Sequence, residues 1–209
     1  MKTNSYKDCL IYNLAKIFGC LLRIIPPNIA LFMGRLLGRL VFYLDKRHSR
    51  IAYKNLKCAF QGKKSPEELS IIVRKMYQHL AQNIIEMLLI PRIDGRYLDK
   101  YIKMEGKEFI TEGLKKDKGL IFLSIHLGSW ELSNCVCAFL FCPYNLIVKE
   151  QTKYSRLDNL LNSYRQSKGV NIISKGVAAR EIIECIKNRE ILVLVGDQGG
   201  RDGIAVSFF

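Results

Sequence analysis

Two residues of this 209-residue chain, His126 and Glu131, have types and spacing suited to acid–base chemistry. They stand in Ser124-Ile-His-Leu-Gly-Ser-Trp-Glu131, which reads as the end of an apolar strand running into the first turn of a helix. Parallel-sheet folds bind ligands at the carboxyl ends of their strands. A carboxylate in the first turn of a helix is favoured by the helix dipole. From there Glu131 can turn back to accept a hydrogen bond from one ring nitrogen of His126. The other nitrogen would take a proton from a hydroxyl as a general base, and the carboxylate would support the imidazolium that forms. No enzyme nucleophile is needed, because an activated hydroxyl can attack a thioester directly. The plainer alternative is that His126 closes a strand and Glu131 is a solvated helix residue. The other histidines, His48 and His79, have no comparable setting.

The elements that must position this pair follow from periodicity. Ser65-Pro-Glu-Glu68 has the residues of a capped helix start, with Pro66 at the first helical position and Glu68 completing a capping box. Leu69, Ile72, Val73, Met76, Leu80, Ile84 and Met87 then recur at helical spacing until Pro91. Gly119 to Ile125 is a short apolar run that reads as a buried strand. After it come a helix from Gly128-Ser129 toward Phe141, a strand at Leu146–Val148 and a helix from Ser155 to Ser167. A strand from Val170 to Ile173, a helix from Val177 to Lys187 and a strand from Ile191 to Val195 complete the series. This alternation predicts an α/β domain with a largely parallel sheet flanked by helices. The apolar run 132–141 suits either the lining of an apolar groove or a core helix.

The N-terminal part differs in charge. Residues 1–64 hold 13 Lys/Arg and 2 Asp/Glu, while residues 65–209 hold 20 and 17. A basic excess of this kind fits an anionic membrane, an acidic protein or nucleic acid. Leu10, Leu14, Ile17 and Leu21 fall on one helical face, and after Pro26-Pro27 so do Leu36, Leu40 and Tyr43, with Arg35 and Arg39 on another. Residues 1–50 are therefore expected to form a basic, amphipathic helical segment lying on a membrane surface, ahead of an α/β domain over 51–209. Ordinary packing of these helices on the core is the alternative, and a tilted span over 9–25 is a third reading. The apolar content of 9–44 weighs against nucleic acid. Seven scattered cysteines argue against a disulfide framework and for a reducing compartment. Cys135, Cys137 and Cys142 lack the pairing of a zinc site. The glycine-rich loop 196–203 matches neither a dinucleotide fingerprint nor a calcium loop.

Around the His126–Glu131 motif, the sequence resembles the H-x4-D/E acyltransferases, specifically the lipid A biosynthesis (lauroyl/myristoyl) branch. The matching segments occur in order: Asn55-Leu-Lys-Cys-Ala-Phe60, the His126 motif, Asp158 to Arg165 with Gly169 and Lys175, Gly196-Asp-Gln198 and its following glycines, and Val206-Ser-Phe-Phe209. The resemblance implies transfer of a fatty acyl chain from acyl carrier protein to a hydroxyl of an anionic glycolipid, a lipid A precursor. It places this at the cytoplasmic face of the inner membrane, with no metal and no cofactor beyond the acyl donor. His126 and Glu131 map onto its catalytic motif. Arg165, Asp197 and Gln198 map onto positions near the site, with Arg165 expected to hold a phosphate or the developing oxyanion. The pattern continues past the position of Phe209, so the chain is expected to lack a C-terminal segment. A glycerophospholipid or other envelope glycolipid acyltransferase and an inactive truncated remnant are the alternatives.

Overall fold

The computed structural model describes residues 5–116, 118–174 and 178–197. The chain divides into two compact units, Asn4–Ile93 and a second beginning at Asp94.

The first unit is helical: α1 (Ser5–Ile24), α2 (Pro27–Leu44), α3 (Lys46–Phe60) and α4 (Pro66–Leu89), with a 3-10 turn at Ile90–Arg92. Pro27 opens α2, where its missing N–H costs nothing. At Ser65 the expected capping box forms, with the hydroxyl accepting from the Glu68 amide and the Glu68 carboxylate accepting from the Ser65 amide. Helix α2 lies tightly on α4 because its facing positions are small. Ala30, Gly34 and Gly38 are buried, and a Cβ on Gly38 would sit 2.4 Å from the Tyr77 carbonyl oxygen. The buried stripe of α4 runs Leu69, Val73, Tyr77, Ala81, Ile85 and Leu88. Met76, Leu80 and Ile84, which share the helical spacing in the sequence, are instead exposed. Leu10, Leu14, Ile17 and Leu21 of α1 and Leu36, Leu40 and Tyr43 of α2 are exposed too. These two faces therefore do not supply core packing, which is contributed by the small-residue side of α2. Among the described residues, no helix is long and apolar enough to cross a membrane.

The second unit is α/β. After α5 (Gly95–Tyr101) and α6 (Lys107–Lys115) come β1 (Leu120–Ser124), α7 (Trp130–Leu140), β2 (Tyr144–Val148), a 3-10 turn (Thr152–Tyr154), α8 (Ser155–Gln166), β3 (Val170–Ser174), α9 (Ala178–Lys187) and β4 (Ile191–Val195). The strands form a parallel sheet in the order β1-β4-β2-β3. Successive strand residues face opposite ways. The Tyr144 hydroxyl donates to the Asn134 carbonyl on α7, while the neighbouring Asn145 amide donates to Cys185 Sγ on α9. Helices thus flank both faces. Ile173, Cys185 and Leu192 form the core on the α9 side.

Candidate active site

The site begins with strand register. Strands β1 and β4 pair in parallel from Leu120 against Ile191 to Ser124 against Val195. The Gly196 amide extends the ladder by donating to the Ser124 carbonyl. Two residues beyond each paired strand end stand His126 and Asp197. The pairing that aligns the sheet thus also sets these side chains opposite each other at its carboxyl edge. His126 is the centre of a γ-turn in which the Leu127 amide donates to the Ile125 carbonyl. The turn ends the strand and lifts the imidazole from the sheet. Gly128 follows in the left-handed region at φ +57°, with open space around it, so backbone conformation calls for glycine there.

Asp197 holds His126 at two points. Its Oδ1 lies 2.8 Å from the ring Nδ1, and its Oδ2 accepts from the His126 backbone amide at 3.0 Å. An ionised carboxylate only accepts, so Nδ1 carries the hydrogen, and in the neutral ring the lone pair is then on Nε2. Hydrogen bonding from the His126 ring holds the Asp197 carboxyl below the usual carboxylate range, and the amide bond adds to this. Both side chains are about a third exposed. The Trp130 ring meets the imidazole edge-on, with centroids 5.2 Å apart.

Glu131 does not take the expected place beside His126. It is the second residue of α7, and both of its oxygens are occupied by Arg165 of α8, with Nε to Oε2 at 2.8 Å and Nη2 to Oε1 at 2.6 Å. Arg165 Nη1 also donates to Asn162 Oδ1 at 2.5 Å. The side chains of Arg165 and Glu131 are 9% and 16% exposed. Burial is the largest influence on Arg165 and opposes its charge, but the hydrogen bond to Glu131 and the attraction of that carboxylate and its neighbours together outweigh it and raise the guanidinium's pKa. Three of the five guanidinium N–H groups are thereby engaged inside the protein. The His126–Glu131 pairing read from the sequence is corrected to His126–Asp197, because a buried guanidinium competes more effectively for Glu131 than an imidazole at the strand edge.

Arg165 is accordingly held in an internal pair, and Gln198 lies outside the described residues. Asp197 matters as the imidazole's partner, a role assigned in the sequence to Glu131. Asn162 and Trp130 carried no signal of their own. The apolar run after Glu131 is largely core, with Leu132, Cys135, Val136 and Ala138 buried. Burial, reinforced by the nearby Glu131 charge, pushes the Cys135 thiol up to about 12. It is a packed, protonated side chain. No three His, Cys, Asp or Glu side chains converge as a metal site among the described residues.

The arrangement is a strand-edge imidazole with an ionised carboxylate on one nitrogen and a free lone pair on the other, as a general base requires. Comparison with curated proteins finds no match. The model of the bacterial lipid A biosynthesis acyltransferases matches residues 3–209, and the chain belongs to that family of acyltransferase enzymes.

Proposed function

We propose that the chain moves a fatty acyl group from the thioester of acyl carrier protein to a hydroxyl of an anionic lipid A precursor, with His126 as the general base and Asp197 as its positioning residue. The observation that carries this reading is the double contact of Asp197 with the ring and backbone of His126. His126 Nε2 takes the proton of the acceptor hydroxyl as its oxygen attacks the thioester carbonyl. The tetrahedral adduct then collapses, the carbon–sulfur bond breaks, and the leaving thiolate recovers the proton from the imidazolium. The products are an ester and a free carrier thiol. Asp197 steadies the imidazolium throughout. The Glu131–Arg165 pair fixes the start of α7, just after the catalytic turn.

A membrane-bound acceptor calls for contact with a bilayer. The exposed apolar faces of α1 and α2 and the basic excess of residues 1–64 support a location on an anionic membrane surface. The inner membrane, facing the cytoplasm, would supply such a surface. The test is transfer of a labelled acyl chain from acyl carrier protein to a lipid A precursor by wild type, His126→Ala and Asp197→Ala. The proposal expects loss in both variants with folding retained. Wild-type rates in His126→Ala would overturn it.

A further inference from the structure

Strand β1 is the edge of the sheet, and one of its faces is uncovered. Successive strand side chains alternate, and paired residues of parallel strands share a face. Ile121 and Leu123 of β1 therefore stand beside Leu192 and Leu194 of β4. Leu192 and Leu194 pack with Ala178, Ile182 and Cys185 of α9, and α9 lies over β4 and β3. Its cover stops short of β1. Ile121 and Leu123 are left 58% and 69% exposed, and Ile125, which continues the alternation, 48%. The other face of β1 is closed, with Leu120 packed against Gly113 of α6.

The flank of α9 that faces this strip is apolar too. In a right-handed β3–α9–β4 crossover the helix runs antiparallel to the strands, and each residue after a sheet-facing one is turned about 100° toward β1. Ala179, Ile183 and Ile186 follow Ala178, Ile182 and Cys185 in this way. Ile183 and Ile186 are exposed. The charges of the helix lie on its outer side, where Arg180 Nε donates to Glu184 Oε1 at 3.1 Å. Floor and wall are thus both aliphatic. They form a groove that follows β1 and opens at its carboxyl end beside His126.

We propose that this groove holds the alkyl chain of the acyl group, extended along β1 with its carbonyl at His126, and that Ile121 sets the length it favours. This rests on the reading of His126 as the general base. A thioester attacked there must lay its chain on a surface that starts at the imidazole, as this one does. A protein segment docked in the groove would bring backbone N–H and C=O groups that its aliphatic side chains cannot satisfy, whereas hydrocarbon has no such need. The dimensions agree. Five strand residues separate His126 from Ile121, about 16 Å, which an extended chain of about twelve carbons spans at about 1.5 Å per bond. Leu123 lies about 10 Å along, the reach of about eight carbons.

The test measures transfer from octanoyl and lauroyl acyl carrier protein to a lipid A precursor by the full chain, as wild type, I121E, L123E and F109E. Phe109 is an exposed side chain of α6, on the closed side of β1, so F109E adds the same charge outside the groove. All three replace exposed residues, and equal thermal melts are confirmed first. A fully buried methylene is worth about fourfold in affinity, and one half-covered in an open groove about twofold. Losing the seat of the four outer methylenes should lower lauroyl kcat/KM about 16-fold in I121E and leave octanoyl within about twofold. L123E should lower both, and F109E should leave their ratio as in wild type. Trp130, the single tryptophan, gives a readout that needs no turnover, because its ring stands beside His126. Lauric acid brominated at its second carbon should quench Trp130 more than lauric acid brominated at its eleventh, and I121E should weaken binding of both. An unchanged lauroyl-to-octanoyl ratio in I121E, an equal loss for both chains, or equal quenching by the two acids would overturn the groove. With that ratio unchanged, a dimer that I121E splits would assign the face to a second copy, and release of I121E from vesicles would assign it to the bilayer. Failure of wild type to transfer either chain would remove the proposed reaction, while position-dependent quenching weakened in I121E would still uphold the groove.

Discussion

Replacing Glu131 with glutamine separates the two roles this residue could have. In the structure it neutralises Arg165 through two hydrogen bonds, and both side chains are nearly enclosed. Removing one member of a buried pair leaves an uncompensated charge and costs about 3–5 kcal/mol. Glutamine keeps one acceptor oxygen and Asn162 still holds one end of the guanidinium, so the low end, about 3 kcal/mol, applies. For a chain of this length each kcal/mol lowers the melting temperature by roughly 2–4 °C, which gives a fall of about 6–12 °C. The assay is thermal unfolding followed by circular dichroism, paired with acyl-transfer rates measured well below the variant's melting point. The expected result is a large loss of stability with a modest loss in kcat. Removing both charges with Glu131→Leu and Arg165→Met should recover much of the stability, because a well-packed apolar pair is often neutral relative to a buried ion pair. A Glu131→Gln protein that melts with wild type yet loses kcat by a thousandfold would refute the reasoning. It would mean that Glu131 acts on His126 or the substrate and that the contact with Arg165 is incidental.

Asp197→Asn has the opposite signature: kcat falls by about 10²–10⁴, because an amide no longer enforces the Nδ1–H tautomer, while melting changes little at this partly exposed contact. Full activity in that variant would exclude Asp197 as the positioning residue. The native carboxyl of Asp197 titrates below its ordinary value of 3.8, so its contribution to stability is present above that value and is lost as pH falls through the lowered native one. The stability difference between wild type and Asp197→Asn should accordingly be constant above about pH 5 and shrink under acid denaturation. Ser129 precedes α7 but makes no side-chain capping bond, and its buried hydroxyl has no partner among the described residues. Ser129→Ala should therefore leave stability unchanged or slightly raised instead of losing the ~1 kcal/mol typical of a cap, as chemical denaturation will read. Gly38→Ala must push α2 off α4, since its Cβ would meet backbone at 2.4 Å. A loss of about 1–3 kcal/mol is expected in the same assay.

The α/β alternation was legible because parallel strands read as short apolar runs; Ile191–Val195 is buried as that reading expects, whereas Leu120–Ser124, expected to be buried, is an edge strand whose Ile121 and Leu123 are exposed. The break at Pro26-Pro27 and the capping box at Ser65 were legible because their chemistry is local. The face of α4 was harder to read. Met76, Leu80 and Ile84 have the hydrophobicity of core residues, but the buried stripe is set by what Gly34 and Gly38 of α2 can approach, and it includes Tyr77 and Ala81. An amphipathic helix with apolar side chains on more than one face carries no internal mark of which face its neighbour will cover.

The partner of His126 was hidden for a related reason. The spacing from His126 to Glu131 fixes Glu131 relative to α7, which begins at Trp130, and its side chain is then claimed by whatever lies against that helix. What lies there is Arg165, a residue 34 positions away whose approach depends on α8. The distance from His126 to Asp197 is 71 residues, and every β1–β4 pair from Leu120–Ile191 to Ser124–Val195 has that same separation. The His126–Asp197 contact is thus a continuation of the parallel ladder, carried two residues past its end. A one-residue slip of β4 against β1 would put Gly196 or Gln198 opposite the imidazole and leave it without a carboxylate, so the register of the sheet and the chemistry at its edge are a single constraint.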